Sequence, residues 1–502
     1  MSWFAPRSPT RPAGPRVLLG RAGNRLLPQD VALAGLDVHR HKHIIGNSGF
    51  GKSKLVESLV IQDLQHGIPV CVVDPTSDLI RSIGRTLLGS GFFASKAGQR
   101  FRFVNFGSKD AFVPFNILAL HPPFGPKDRA RHVNEACKRI WPKLAEGQAP
   151  QFENIMAAAV MVLVYNQLPL PAIERLLTDK PYREALLANV PDRQTVAFFH
   201  SRFDRWGREA PGMIESTLRR IFLLTFPDAL RFTLGQATNV LNFRALMDSK
   251  TSLFVGLGGV DEETQRVLGA LITVGFEEAA FSREDIPERE RHPYHLYIDE
   301  FSLFSAPSEQ SLARVLSLTR KYGLTLHLVH QTWSQLSERL QGALQNCIHI
   351  AFNAGPEDAV TTARLFTLFD PYQVKHTVRD EQAEGRTHPV FLSAAEQQLV
   401  TATQLMQLER QQAFIRVGSQ SRRFRTLTVP EPAASWAQWQ AVEAQYARSL
   451  GTPRAVVMRL VDGPNDGSAS DESPPGAAGP VTPPPPPFTP RIEPVPDDEA
   501  PS

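Results

Sequence analysis

The 502-residue chain is long enough for two or three domains, each with a buried core. Charged residues make up 21% of the chain and the formal net charge is +3, so composition alone excludes neither enzymes nor binding proteins. The three cysteines are too far apart for a disulfide framework or a zinc pattern. No apolar run reaches the ~18 residues of a membrane-spanning helix. These features predict a cytoplasmic protein with no transmembrane segment of its own.

The predicted elements begin with a loose basic lead-in over residues 1–38. Eight short apolar runs follow, and such nearly continuous runs are typical of buried parallel strands. Helical patterns separate several of them, as in βαβ units. The runs are HII (His43–Ile45), PVCVVD (Pro69–Asp74), FRFVNF (Phe101–Phe106), TSLFVGL (Thr251–Leu257), YHLYID (Tyr294–Asp299), LTLHLVH (Leu324–His330), CIHIAFN (Cys347–Asn353) and QAFIRV (Gln412–Val417).

The stretch between the third and fourth runs is too long for a single crossover and shows helical periodicity throughout. It therefore predicts an all-α domain inserted into an α/β domain. The end of the chain is rich in Pro, Gly and Ser, acids outnumber bases there, and it should be disordered. The predicted boundaries are 1–38 for the lead-in, 39–117 and 249–462 for the two parts of the α/β domain, 118–248 for the insertion and 463–502 for the tail.

A phosphate-binding pattern directly follows the first predicted strand. Residues 46–53 read G-N-S-G-F-G-K-S, which matches the P-loop pattern G-x-x-x-x-G-K-[ST]. In such a loop, backbone N–H groups cradle phosphate oxygens at a helix N-terminus. The alternative is a chance glycine-rich turn, but the strand before and the helix after it favour the P-loop. The nucleotide-binding residues predicted here are Gly46, Asn47, Ser48, Gly49, Phe50, Gly51, Lys52, which would reach the phosphates, and Ser53, which would hold Mg²⁺.

Polar residues also stand at the ends of three other predicted strands. Asp299 and Glu300 end one of them, and we expect Asp299 to contact Mg²⁺ and Glu300 to polarise the attacking water. Gln331 follows the next strand, where a side chain points toward the ligand crevice, and it suits sensing of the γ-phosphate. Asp74 ends the second strand and is a further nucleotide-site candidate, the alternative being a plain turn with Pro75.

Arg320 precedes the strand that ends at Gln331, and it is a candidate arginine finger for phosphoryl transfer. Lys321 is the neighbouring candidate, and a solvated helix end is the structural alternative for both. Basic residues of the helical insertion could contact DNA phosphates, or simply form a charged solvated face. The sequence thus predicts a catalytic set of Glu300, Gln331 and Arg320.

The order of these motifs resembles the FtsK/HerA superfamily, and within it the TraG/TraD-type coupling proteins of type IV secretion and conjugation. The resemblance spans residues 17–430 and rests on the P-loop, the strand ending in D-P, FVPFNIL, the helical insertion, FVGLGGVDEETQRVLGALI, YIDEF and RKYGLTLHLVHQTWSQL. It implies a RecA-like motor that uses ATP and Mg²⁺, forms a hexameric ring and pumps DNA. It also implies relaxase or secretion-channel partners and a peripheral place at the inner membrane.

The chain departs from that family in several respects, among them Asn47 and Phe50 at variable P-loop positions where the family more often has Thr and Ser. Membrane-bound coupling proteins carry N-terminal transmembrane helices, and no such segment precedes Gly46 here. FVPFN also lacks the proline that the family has after the residue equivalent to Asn116. Two other functions therefore stay open: a HerA-like DNA-end-processing or defence ATPase, and an ATP-gated adaptor that binds DNA or relaxase without translocating.

Overall fold

In the computed structural model, residues 14–23, 27–141, 150–305, 309–379 and 387–462 are described. Their strands are β1 (Arg16–Ala22), β2 (Gln29–Ala34), β3 (Lys42–Ile45), β4 (Val70–Asp74), β5 (Phe101–Asn105), β6 (Ala111–Phe112), β7 (Ser252–Gly256), β8 (Tyr294–Ile298), β9 (Leu324–His330), β10 (Ile348–Ala351), β11 (Val374–Arg379), β12 (Thr387–Phe391), β13 (Gln412–Val417), β14 (Gln420–Thr426) and β15 (Thr452–Pro453). The predicted tail over 463–502 lies outside the described residues.

A mixed sheet of 11 strands forms the centre of the molecule, in the order β2-β1-β14-β13-β10-β3-β9-β8-β4-β7-β5. From β10 to β5 all neighbouring strands are parallel, and from β10 to β2 they are antiparallel. The predicted α/β fold is confirmed, and each of the eight predicted runs coincides with or overlaps a strand. The parallel part places the carboxyl ends of its strands at one edge.

The orientation predicted for β13 is wrong, because this strand runs antiparallel to both of its neighbours. A tight turn with Gly418 at φ +60° leads directly from β13 into β14, and such a hairpin allows only an antiparallel pair. Buried apolar residues are common to both orientations, so apolarity predicted the strand and not its direction.

The prediction of a loose lead-in over residues 1–38 is also wrong for much of that segment. β1 and β2 form an antiparallel pair that joins the sheet through β14. Val17, Leu19 and Leu33 are buried against the helix that follows the P-loop. Gln62 of that helix secures the pair, since its side chain accepts from the Leu18 N–H and donates to the Leu18 carbonyl.

The helices are α1 (Lys52–Gln65), α2 (Asp78–Gly89), α3 (Lys96–Gln99), α4 (Pro126–Ile140), α5 (Pro150–Tyr165), α6 (Ala172–Thr178), α7 (Lys180–Leu187), α8 (Arg193–Phe198), α9 (Ala210–Thr225), α10 (Asp228–Leu234), α11 (Phe243–Asp248), α12 (Glu262–Ser282), α13 (Ser302–Ser305), α14 (Glu309–Leu318), α15 (Glu338–Leu344), α16 (Pro356–Phe366), α17 (Ala394–Met406), α18 (Trp436–Leu450) and α19 (Arg454–Asp462). Local capping fixes several starts. Asp261 accepts the Thr264 N–H ahead of α12, and Ser393 and Glu396 form a capping box at α17. None of these described helices is long and apolar enough to cross a membrane.

Two apolar cores cover the two faces of the sheet. Along β4, Val72 belongs to the core beneath α1, α2 and α18, whereas Val73 belongs to the opposite core. The described residues between β6 and β7 are helical apart from their connections, and α4 and α5 share that opposite core with the sheet. The helical segment is therefore packed continuously onto the central sheet, and the domain boundaries stay a prediction.

Candidate functional site

The carboxyl ends of the neighbouring strands β3, β9, β8 and β4 meet at one edge of the sheet. Ile45 lies opposite His330, and Ile298 lies opposite Leu328 and Val73, so these strands end at nearly the same level. The P-loop, Gln331, the pair Asp299–Glu300 and Asp74 come directly after or at those ends. Ligands bind at this kind of edge in parallel α/β sheets, so the structure brings these predicted residues to one place.

The P-loop connects β3 to α1 and uses its glycines for backbone conformations that other residues avoid. Gly46, Gly49 and Gly51 have φ values of +145°, +82° and +111°. Gly46 also lies against the chain that follows β10, because a Cβ added there would be 2.7 Å from the Phe352 Cβ. Ser48, Gly49 and Ser53 are exposed, and Phe50 packs against the α1-side core. The loop is thus anchored at its start and open to a ligand at its tip.

We expect Gly46→Ala to destabilise the protein by about 1–3 kcal/mol, because the new methyl group meets backbone and Cβ atoms at a strained φ. Gly342→Ala is the matched control, since its added Cβ in α15 meets nothing within 4 Å and should stabilise that helix slightly. Thermal unfolding of both variants tests this, and equal unfolding temperatures would contradict the close approach of the P-loop to β10.

Lys52 lies in the first turn of α1, and its side chain turns back toward its own loop. Its Nζ donates to the carbonyl of Gly46 at 2.6 Å and to the carbonyl of Asn47 at 3.1 Å. Burial lowers its pKa, while Glu300 and Asp299 oppose that shift. A phosphate entering the loop would offer this ammonium a charged acceptor in place of two neutral carbonyls, and hydrogen bonds to ionised acceptors are the stronger kind.

Two residues that sequence reasoning missed hold the P-loop in place. Asn353 accepts the Asn47 backbone N–H on its backbone carbonyl at 2.7 Å and the Asn47 side-chain amide on its Oδ1 at 2.9 Å. Gln411, at φ +66°, donates its backbone N–H to the Phe50 carbonyl. Asn353 lies two residues after β10, so the rule that singled out Gln331, a polar residue after a buried strand, could have found it. No sequence signal marks Gln411.

Glu300 and Gln331 are joined by a hydrogen bond across the ends of β8 and β9. The Gln331 Nε2 donates to the Glu300 Oε1 at 2.8 Å. Glu300 has a left-handed backbone with φ +47°, which is uncommon for a residue with a side chain and recurs at functional sites. Its N–H donates to the Asp299 carboxylate at 3.2 Å. The predicted water-polarising group and the predicted γ-phosphate sensor are therefore in direct contact.

Asp74 uses its carboxylate within its own turn. The side chain is fully buried and accepts from the N–H and hydroxyl of Thr76 and from the N–H of Ile80. These contacts agree with the turn alternative, and they leave no described bond between Asp74 and the P-loop.

Burial, together with the charges of Asp74 and Glu300, raises the pKa of Asp299 to about 7. Asp74 thus acts on the site through its charge.

The raised pKa of Asp299 leads to a testable prediction about the stability of the protein without nucleotide or metal. Because the folded state holds the Asp299 proton more tightly than the unfolded chain, the carboxyl lowers stability as the pH rises from about 4 to about 7. We expect Asp299→Asn to raise the free energy of unfolding on the order of 3 kcal/mol at pH 8 and far less at pH 5. Denaturant titrations at both pH values test this, with the exposed Asp110→Asn as control; a pH-independent difference would contradict it.

Arg320 is the one predicted catalytic residue that the structure does not bring to this edge. It lies in a 3₁₀ turn, Thr319–Tyr322, just before β9, at the end opposite Gln331. Burial chiefly lowers the pKa of His41 to about 4 and Arg320 adds to the shift, so Arg320 is near the start of β3. Seven residues of strand span about 23 Å, too far for Arg320 to reach the P-loop of its own chain.

Comparisons with known proteins concern the family resemblance and the fold. Residues 293–410 match the family described as "TraM recognition site of TraD and TraG", and this segment contains the Asp299–Glu300 pair, Arg320, Gln331 and Asn353. Among curated proteins, none is significantly similar to the sequence. The fold is similar to that of the bacterial conjugative coupling protein TrwBΔN70, with a TM-score of 0.53, 17% identity, and coverage of 81% of this chain and 89% of that one. The predicted resemblance to coupling proteins is confirmed.

Two further solved structures are similar to this chain in fold. TrwB in complex with the non-hydrolysable ATP analogue ADPNP has a TM-score of 0.52 and 16% identity, covering 79% of this chain and 87% of that one. VirB4 of Thermoanaerobacter pseudethanolicus has a TM-score of 0.51 and 14% identity, covering 82% and 96%. At these identities the likeness concerns the fold, and the roles of single residues depend on the contacts described above.

Proposed function

We propose that this chain is an ATP-driven motor of the conjugative coupling type that translocates DNA. The observation that carries the proposal is the hydrogen bond between Gln331 and Glu300 beside the P-loop. It joins a group suited to polarising water to a group suited to sensing the γ-phosphate, at the edge where Lys52 begins α1. A protein that only binds nucleotide has no need of that pair.

ATP is the proposed substrate, and the ADPNP complex of the similarly folded TrwB supports that choice. The residues present also fit a divalent cation, because burial, together with the charges of Asp74 and Glu300, raises the pKa of Asp299 to about 7, and a cation would offset that crowded negative charge. Ser53 and Asp299 would hold Mg²⁺, as hydroxyl and carboxylate oxygens are its preferred ligands. When bound, that ion neutralises charge on the phosphates.

The side chains and backbone groups of the chain have separate roles in this reaction. The P-loop N–H groups and Lys52 orient the phosphates, and Glu300 accepts a proton from the attacking water. Gln331 holds the Glu300 carboxylate until a γ-phosphate offers its amide another acceptor. Arg320 serves the site of a neighbouring protomer, because it lies at the far end of β9 from its own P-loop.

The assembly proposed for this function is a hexameric ring around DNA, with relaxase or secretion-channel proteins as further partners at the inner membrane. The match of residues 293–410 to a segment described as a TraM recognition site supports a role in conjugation. The alternative hypothesis, a HerA-like DNA-end-processing or defence ATPase, involves the same catalytic residues but different partner proteins. The adaptor reading conflicts with the contact between Glu300 and Gln331.

A coupled assay tests the proposal. We expect DNA to stimulate ATP hydrolysis and ATP to drive displacement of a triplex-forming strand from duplex DNA. ADPNP in place of ATP, with the same protein, separates binding from turnover. Stimulated hydrolysis without displacement would favour the adaptor, and no hydrolysis with or without DNA would overturn the proposal.

A further inference from the structure

A buried cluster of Asp63, His295 and His327 lies between α1 and the sheet, remote from the P-loop. Asp63 is near the end of α1, His295 near the start of β8, and His327 in the middle of β9. Their exposed fractions are 2%, 0% and 1%. One ligand atom from each residue can be chosen so that all three lie within 4.8 Å of one another. Three metal-binding side chains thus converge where packing alone would favour apolar residues.

The hydrogen bonds of the cluster are incomplete. The His295 Nδ1 lies 2.6 Å from the Asp63 Oδ2, and the Tyr297 hydroxyl donates to the same oxygen at 2.5 Å. The His327 ring stacks on Tyr297 with centroids 3.9 Å apart, yet neither of its ring nitrogens has a hydrogen-bond partner among the described residues. A buried polar atom without a partner costs about 1–3 kcal/mol. A ligand that His327 can bind would remove part of that cost.

We propose that Asp63, His295 and His327 bind a divalent ion of the zinc class. One carboxylate oxygen and two imidazole nitrogens are a donor set typical of such ions, with bonds of about 2.0–2.2 Å. Tetrahedral bonds of that length place ligand atoms about 3.3 Å apart, so the three atoms need to shift by about 1.5 Å or less. A water molecule completes the fourth position.

The surroundings of the cluster suit such an ion. The His295 Nε2 lies 3.1 Å from the His39 Nδ1, the kind of outer hydrogen bond that orients a metal-binding histidine. Lys42 is buried nearby but donates its Nζ to the carbonyls of Val38 and Arg40 rather than to Asp63. Lys42 therefore does not occupy the Asp63 carboxylate.

The ion would have a structural role, because its three ligands come from elements that lead to the P-loop edge. α1 begins at Lys52, β8 ends just before Asp299, and β9 ends just before Gln331. Linking α1 near its end, β8 near its start and β9 at its middle would fix their relative positions. This role is independent of whether the chain hydrolyses ATP, so the metal test and the ATPase test can fail separately.

Metal binding is tested on the full-length, tag-free protein without nucleotide, after treatment with a chelator. We expect about one equivalent of Zn²⁺ per chain, a tetrahedral absorption spectrum with Co²⁺ as the probe, and a higher unfolding temperature with Zn²⁺. His327→Gln should weaken Co²⁺ binding on the order of 100-fold or more. His349→Gln is the matched control, since this histidine of β10 is also buried but contacts His43 outside the cluster.

Two results would overturn the proposal. One is wild-type protein that binds neither Zn²⁺ nor Co²⁺ stoichiometrically, a measurement that needs no variant to fold. The other is Co²⁺ affinity that falls equally in His327→Gln and His349→Gln. Asp63→Asn provides a second variant with its own expected result, which is loss of the tetrahedral spectrum.

Discussion

Replacing Glu300 by Gln is expected to leave nucleotide binding intact and to lower ATP turnover by about 10²–10⁴-fold. The amide has nearly the same shape as the carboxylate, and its oxygen can still accept the Gln331 Nε2. It cannot accept a proton from water at neutral pH, so the chemical step loses its base. Binding of a fluorescent ATP analogue and steady-state hydrolysis with DNA present measure the two effects separately.

Glu290→Gln is the control for this substitution, because Glu290 is exposed in a turn before β8. Its turnover should equal that of the wild type. A Glu300→Gln protein that hydrolyses ATP at the wild-type rate would place the base elsewhere. Loss of nucleotide binding together with turnover would mean that Glu300 shapes the site and does not act in the chemical step.

Arg320→Ala is expected to lower turnover by about 10³–10⁵-fold, and mixing it with Lys52→Ala should restore part of the activity. Lys52→Ala lacks a working P-loop but keeps its arginine, whereas Arg320→Ala has the opposite defect. In a mixed ring, some interfaces bring an intact P-loop against an intact arginine. Hydrolysis by the mixture, compared with each variant alone at the same total protein concentration, measures this complementation.

Arg289→Ala is the control for the arginine, since Arg289 is highly exposed in the turn before β8 and its loss should leave turnover unchanged. Co-assembly of the two inactive variants must be shown by pull-down of differently tagged chains. A co-assembled mixture that stays inactive would refute delivery of Arg320 in trans. Lys321 would then be the next residue to replace.

The parallel part of the sheet could be predicted because its strands are buried on both faces. A strand such as β4 is apolar at every position up to Asp74, so its sequence differs clearly from a loop. β14, QSRRFRT, was missed because its arginines face solvent at the antiparallel end of the sheet. The exposed hairpin of β11 and β12 has no buried side to give it an apolar pattern.

The site could be predicted where chain order alone brings residues together. Gln331 and Glu300 follow adjacent parallel strands, so the rule about strand ends was sufficient to place both at one edge of the sheet, although it did not predict their hydrogen bond. Asp74 satisfies the same rule, yet its carboxylate accepts hydrogen bonds from the turn that follows it in the chain. These bonds depend on the positions of Thr76 and Ile80, which the rule does not consider. The support of the P-loop by Gln411 depends on tertiary packing between segments far apart in the chain.

The placement of Arg320 and Gln331 at opposite ends of β9 has a consequence for timing within the proposed ring. One short rigid strand would then contact two nucleotides, the neighbour's through Arg320 and its own through Gln331. A displacement caused by hydrolysis at one interface would be passed along β9 to the next without needing a flexible linker. The order in which the protomers of the ring hydrolyse ATP would then be set by the stiffness of β9. Insertion of a single residue into β9 would break that relay, because it turns every following side chain to the other face of the sheet.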